Sequence, residues 1–369
     1  MILYTENKLS NLGQLIFTGI SGKTLTEDEK NFIEKENIGG VILFSENYEN
    51  PGQLAELVNE IQTLREEYPL FIAVDHEGGR VVRFKNHFTK IPPMLDLAKT
   101  TSPKLCFRIT KMMAEELSIC GINVNLSPVC DVLSNPDNQI IGDRAFGSDP
   151  DKVSAFISSA IRGFQTNGIL ACAKHFPGHG DTAIDSHFNL PIIKKSMEDL
   201  RKVDLPPFIK AVKSRVEFVM VAHVIIEGLD PDLPCSLSPK AYDLLRKELR
   251  FTKLIITDDM QMKAIADRYS TGEAAAMAIG AGADIIEYRD MDEAKLALEG
   301  LKEAVRNKTI KPEILKKKFD RILESKKTYL SEYKPNYIPD IKKVVGSKAS
   351  ENLMKEVQDK IDLNTQTNN

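Results

Sequence analysis

Eight short apolar runs, at residues 15–18, 40–44, 70–75, 122–126, 169–174, 218–223, 254–258 and 283–288, recur along the chain with helical patterns between them. Most are continuous rather than alternating, as expected of strands covered on both faces in a parallel sheet. The intervening segments carry helix start signals. Thr26 and Glu29 form a capping-box pattern, and Asp149-Pro150 opens a helix expected to reach about Gln165. Ser238-Pro239 likewise offers an N-cap with proline at the first helical position. Eight such alternations favour a (β/α)8 TIM-type barrel, with a doubly wound open sheet as the second choice. No strand is followed by Gly-x-Gly-x-x-Gly, so the open sheet lacks its dinucleotide fingerprint. Residues 1–334 are expected to form the barrel domain and residues 335–369 a polar, Lys-rich tail. The tail carries one helix near residues 350–361 and a disordered-looking end.

The remaining composition narrows the function class. Apolar residues make up 42% and charged residues 28%, the balance of a globular protein with a sizeable core. Net charge is −4, so no basic excess points to nucleic acid. No window approaches the roughly 18 consecutive apolar residues of a membrane span, and no secretory signal pattern opens the chain. The five cysteines (106, 120, 130, 172 and 235) are scattered inside apolar runs, as in a reduced protein. A cytoplasmic enzyme, monomeric and without membrane insertion, is the expectation.

A barrel places catalytic groups just past the C-terminal ends of its strands. Ionisable residues fall there repeatedly: Asp75 after the third run, Asp131 and Arg144 after the fourth, Lys174 and His175 at the fifth, His223 at the sixth, and Asp258 and Asp259 at the seventh. Each closes an apolar strand at a desolvation cost unless it is paired or used. Plainer readings stand beside the functional ones. Asp258 and Asp259 could be an N-cap and first-turn acid, and Asp75 could cap the turn at Gly78-Gly79. Arg80 and Arg83 could be surface partners of Glu77. His223 reads better as a hydrogen-bonded core histidine, and Asp131 could be only a turn residue.

The densest cluster is the loop at 174–187, Lys-His-Phe-Pro-Gly-His-Gly-Asp-Thr-Ala-Ile-Asp-Ser-His. Pro177, Gly178 and Gly180 forbid regular structure, so this is a polar loop leaving a buried strand, where barrel enzymes keep their chemistry. His175, His179, Asp181, Asp185 and His187 are competent metal ligands, but their spacing matches no helical His pair. Alternatively, Asp185 could hold one nitrogen of His187 and raise its pKa, giving a proton donor near neutral pH.

With these residues in hand, the chain resembles family-3 glycoside hydrolases, in particular the β-N-acetylglucosaminidase branch of cell-wall muropeptide recycling. The matching blocks are Val-Asp-His-Glu-Gly-Gly-Arg-Val at 74–81, Asn-Leu-Ser-Pro-Val-Cys-Asp-Val at 125–132 and Ile-Gly-Asp-Arg-Ala-Phe-Gly at 141–147. The 174–187 loop, Val-Ala-His at 221–223 and Thr-Asp-Asp-Met-Gln-Met at 257–262 complete them in the family's order. The resemblance implies Asp258 as nucleophile and His187 as acid/base with Asp185 as its dyad partner. It implies Asp75, Arg83, Arg144, Lys174 and His175 as ligands of the −1 sugar, in a compact one-domain enzyme needing no metal or cofactor. The substrate would be a small carbohydrate or muropeptide, cleaved by retaining double displacement. Runner-up readings are a metal-dependent amidohydrolase barrel, a sugar-binding barrel without turnover, and a β-glucosidase of the same family.

Overall fold

The computed structural model describes residues 11–65, 67–182, 190–330 and 332–367. Its centre is a closed barrel of eight strands: β1 (Ile16–Thr18), β2 (Gly40–Leu43), β3 (Phe71–Val74), β4 (Val124–Asn125), β5 (Leu170–Phe176), β6 (Phe218–Val221), β7 (Leu254–Asp259) and β8 (Ile285–Tyr288). Each strand pairs in parallel with its neighbours in sequence, and β8 closes on β1 through Ile16↔Ile286. All eight runs expected from the sequence are barrel strands. This is a (β/α)8 TIM-type barrel with the helices outside it.

The fourth strand is far shorter than its apolar run, for a visible reason. Asn123 and Asn125 take over ladder bonds with their side chains: Asn123 Oδ1 accepts from the Ile72 amide at 2.7 Å, and Asn125 Oδ1 from the His76 amide at 3.0 Å. Two buried amides thus tie β4 to β3 past the point where the regular ladder stops.

The barrel is plugged at its N-terminal end. Phe17, Phe71 and Phe218 meet inside it, with Phe71 edge-on to Phe218 at 5.4 Å and to Phe17 at 5.7 Å, tilted. Gly40 makes room for this cluster, because a Cβ there would lie 2.6 Å from the Phe17 ring. Below the rings, buried Lys326 of the helix Pro312–Tyr329 donates to Gln14 Oε1 and the Gly39 carbonyl, both at 3.0 Å. A closed floor leaves the barrel's interior open to ligands from its C-terminal face.

Helix entry follows the expected chemistry at two of three positions. Thr26 completes its capping box, and Asp149 accepts from the first-turn amides of Pro150–Gln165. Ser238 does stand at the N-cap with Pro239 in the first turn, but its hydroxyl bonds no helix amide: it donates to buried Asp230 Oδ2 at 2.6 Å, a carboxylate acceptor that outcompetes a backbone role. The tail forms two helices, Ile338–Val344 and Lys348–Thr367, where the sequence pointed to one. Val357 and Ile361 are buried and Arg108 grips Glu356 with both terminal nitrogens, at 2.6 and 2.8 Å. Helix therefore continues into the Asn-rich end that read as disorder. Among the described residues no helix is long and apolar enough to cross a membrane.

Candidate active site

A cavity of about 870 Å³ opens at the C-terminal face. Its charged wall begins where β3 ends. Gly78 and Gly79 take φ of +113° and +54°, a turn that L-residues resist, and the strand pair His76–Gly78 and Val81–Val82 folds back on itself. The reversal delivers Arg83 to Asp75, with Nη2 to Oδ2 at 2.8 Å. Glu77, on the same short strand, points across to the loop after β4. There Arg144 clasps it through Nε and Nη2, both at 2.8 Å.

Lys174 of β5 joins the two carboxylates. Its Nζ lies 2.7 Å from Asp75 Oδ1 and 2.7 Å from Glu77 Oε1. Strand alternation would send Lys174 and His175 to opposite faces, yet both line the cavity. The register between β5 and β6 shifts between Ala173 and Phe176, which re-aims the side chains. His175 Nδ1 sits 2.7 Å from Asp131 Oδ2, and its Nε2 lies 3.3 Å from Arg144 Nη2.

Pairing decides the protonation states. Burial alone would raise the carboxyl of Asp75, but Lys174 and Arg83 outweigh it and hold it well below the usual range. Glu77 is treated likewise by Arg144 and Lys174 and lowered to about 2. Burial opposes the charge of Lys174, and Asp75 and Glu77 more than restore it, so its pKa rises. Removing one member of such a network would leave a buried charge uncompensated, so these groups are mutually dependent.

Asp258 stands half-buried at the end of β7 and lines the cavity. Burial pushes its carboxyl up; His175, His223, the Asp259 amide and Lys174 together pull it below the ordinary aspartate value. The Asp259 amide donates to its Oδ1 at 2.9 Å. It is an ionised carboxylate at neutral pH. Asp259 itself accepts from the Gln261 amide at 3.0 Å, the local turn role foreseen as its alternative.

His223 is the core histidine expected. Nε2 donates to the Asp259 carbonyl at 2.9 Å and Nδ1 accepts from Ser236 Oγ at 2.7 Å, which fixes a neutral tautomer behind the Asp258 loop. Two plainer readings fail. Asp131 is more than a turn residue: it is fully buried and accepts from the His175 ring and the His179 amide. Arg80 and Arg83 do not partner Glu77, since Arg80 binds Asp143 at 2.9 Å and Arg83 binds Asp75. Glu77 lies too deep for either and takes Arg144 and Lys174 instead.

Asp185 and His187 lie outside the described residues. Of the other metal-competent groups in that loop, His179 is buried, with Nδ1 3.0 Å from Thr182 Oγ1, and Asp181 turns to Ser134 and Lys195. No three His, Cys, Asp or Glu side chains among the described residues form a metal-holding group. The lining residues that the sequence reading did not single out include Glu287, a lone acid in the apolar strand β8. The signal was the same ionisable-residue-on-a-strand pattern that marked Lys174.

Comparison with known proteins agrees with this architecture. The model of the glycosyl hydrolase family 3 N-terminal domain matches residues 4–325. A protein of Nitrosomonas eutropha named beta-hexosaminidase is 39% identical over 282 residues, which are 74% of this chain and 80% of that protein. A family-3 β-N-acetylglucosaminidase from Paenibacillus sp. FPU-7 superposes with a TM-score of 0.88 at 32% identity, covering 97% of this chain and 69% of that one. A fungal multi-domain family-3 β-N-acetylglucosaminidase gives 0.89 at 33% identity, covering 95% of this chain and 42% of that enzyme. The present chain spans less than half of that fungal protein. With its closed barrel and its charged pocket at the C-terminal face, the chain belongs to glycoside hydrolase family 3.

Proposed function

We propose that the protein is a retaining exo-acting β-N-acetylhexosaminidase that removes terminal β-linked N-acetylglucosamine, with muropeptides from the cell wall as its substrate class and a monomer working in the cytoplasm. The observation that carries the reading is an ionised Asp258 carboxylate facing a closed-bottomed pocket already lined by paired cations. The names of the bacterial relative and of both solved neighbours support the sugar.

In this reading Arg83, Arg144 and Lys174 present donors to the sugar hydroxyls, while Asp75 accepts from them. Glu77 and Asp131 are positioning residues that fix Arg144 and His175 from behind. Pre-set donors lose little freedom when the sugar binds, which favours orientation at the anomeric carbon. Asp258 attacks that carbon as His187, oriented by Asp185, protonates the leaving oxygen. The same imidazole, now neutral, draws a proton from water, which releases the sugar from the aspartyl ester. No residue of this scheme requires a bound metal. Residues 1–334 carry the site, and the tail braces the barrel's outer helices.

The test is the rate on p-nitrophenyl β-N-acetylglucosaminide beside the matching β-glucoside. The N-acetylated substrate is expected to be preferred by at least about 100-fold in kcat/KM, the discrimination of about 2.7 kcal/mol that a few lost polar contacts supply. Preference for the glucoside would assign the chain to the β-glucosidase reading instead.

A further inference from the structure

Glu287 sits on β8 with 4% of its surface exposed, at the floor of the active-site cavity. Its Oε2 has no hydrogen-bond partner, and the groups around it are already spoken for. Lys174 is bound to Asp75 and Glu77, Arg83 to Asp75, and Arg144 to Glu77. The other cations lining the cavity, Arg80 and Arg289, are bound to Asp143 and Glu46, while Asp75, Glu77, Asp131 and Asp258 are all held ionised. A further negative charge on Glu287 would find no unpaired cation among the described lining residues and would be costly.

We propose that Glu287 is a further substrate-binding residue of this site, whose carboxyl donates a hydrogen bond to an oxygen substituent of the sugar in the pocket. The inference rests on the glycosidase reading above and adds a contact to it. Burial without a cation of its own keeps the carboxyl protonated and pushes its pKa well above the usual value, reinforced by Asp75 and by Asp259 and Asp258 on β7. The charged and titratable groups facing it are these three, Lys174 and Cys172 on β5, and Arg83 after β3. A protonated, buried acid with an unpartnered oxygen needs an acceptor, and a sugar hydroxyl or amide oxygen is what the pocket admits. Carboxylic acids held neutral as donors by their surroundings are an established catalytic device.

The sign of the pH effect follows. The proton is present below the raised pKa and lost above it, so sugar affinity should fall on the alkaline side. Bound sugar accepts from the neutral form, so it should raise that pKa further. The limb should then appear in kcat/KM at lower pH than in kcat. Glutamine donates at every pH and should lack the limb.

The experiment is calorimetric titration of N-acetylglucosamine into wild type, Glu287→Gln and Glu287→Leu between pH 6 and 9, with thermal melts of each. Expected is roughly tenfold weaker binding in Glu287→Leu at pH 7. Its melting temperature should rise, because an unpartnered buried carboxyl has been replaced by an apolar group. Glu287→Gln should recover most of the lost affinity and bind with a flat alkaline profile. Equal affinity in Glu287→Leu and wild type would overturn the inference, as would an alkaline loss in Glu287→Gln identical to that of wild type. Failure of the wild type to bind N-acetylglucosamine or cleave its glycosides would overturn the functional reading and this inference together. Cleavage with unaffected Glu287 variants would overturn this inference alone.

Discussion

Asp258→Asn should lose turnover on every β-N-acetylglucosaminide, activated or not, by roughly 10⁴-fold or more in kcat. The amide matches the carboxylate in size and can still accept from the Asp259 amide that now bonds Oδ1. It cannot form the glycosyl ester, so the first displacement has no nucleophile. Sugar binding should change far less, since Arg83, Arg144 and Lys174 draw their anchoring from Asp75 and Glu77 and not from Asp258. A folded Asp258→Asn enzyme with kcat within tenfold of wild type would remove this residue from the nucleophile role. Measurement of kcat and KM with an aryl glycoside and a disaccharide decides it.

His187→Ala should separate substrates by their leaving groups. A sugar leaving group departs as a poor alkoxide unless protonated, and general acid assistance is worth about 10² to 10⁴ in rate. Turnover of a disaccharide should fall by that amount. A p-nitrophenolate or more acidic phenol leaves with little help, so its first step should be nearly spared, and an added small anionic nucleophile such as azide should speed deglycosylation. Equal losses on both substrates would make the histidine a binding or structural residue. Asp185→Asn should show the same pattern in weaker form, because it acts through the imidazole.

The fold was legible because its strands are uninterrupted apolar runs, a signal that survives without tertiary information. Boundaries failed where side chains replaced backbone bonds, as at Asn123 and Asn125. The cavity's ionisable rim was legible for the same reason in reverse. Lys174 and His175 stand out against Ile169–Ala173, and Asp258 stands out against Leu254–Thr257. Pairing within the site was not legible. Glu77 and Arg144 are 67 residues apart, and Lys174 is 99 from Asp75, separations over which sequence proximity says nothing. Nearness misled instead, since Arg80 lies three residues from Glu77 yet bridges to Asp143. Asp131 looked like a turn residue because Asp commonly is one; its burial beneath His175 is a fact of packing. The nucleophile role of Asp258 came from family resemblance, which also chose between the metal-ligand and proton-donor readings that the residues left open for Asp185 and His187; the geometry adds to Asp258 a physical reason to be ionised. Glu287 was missed because a single acid inside an apolar strand was read as part of the strand.

The central claim is double displacement through Asp258, and stereochemistry tests it most directly. Proton NMR of p-nitrophenyl β-N-acetylglucosaminide during the first minutes of hydrolysis, before mutarotation, reports the anomer released. Two inversions at the anomeric carbon predict β-N-acetylglucosamine as the first-formed sugar. First appearance of the α-anomer would mean a single displacement by water and would contradict the account.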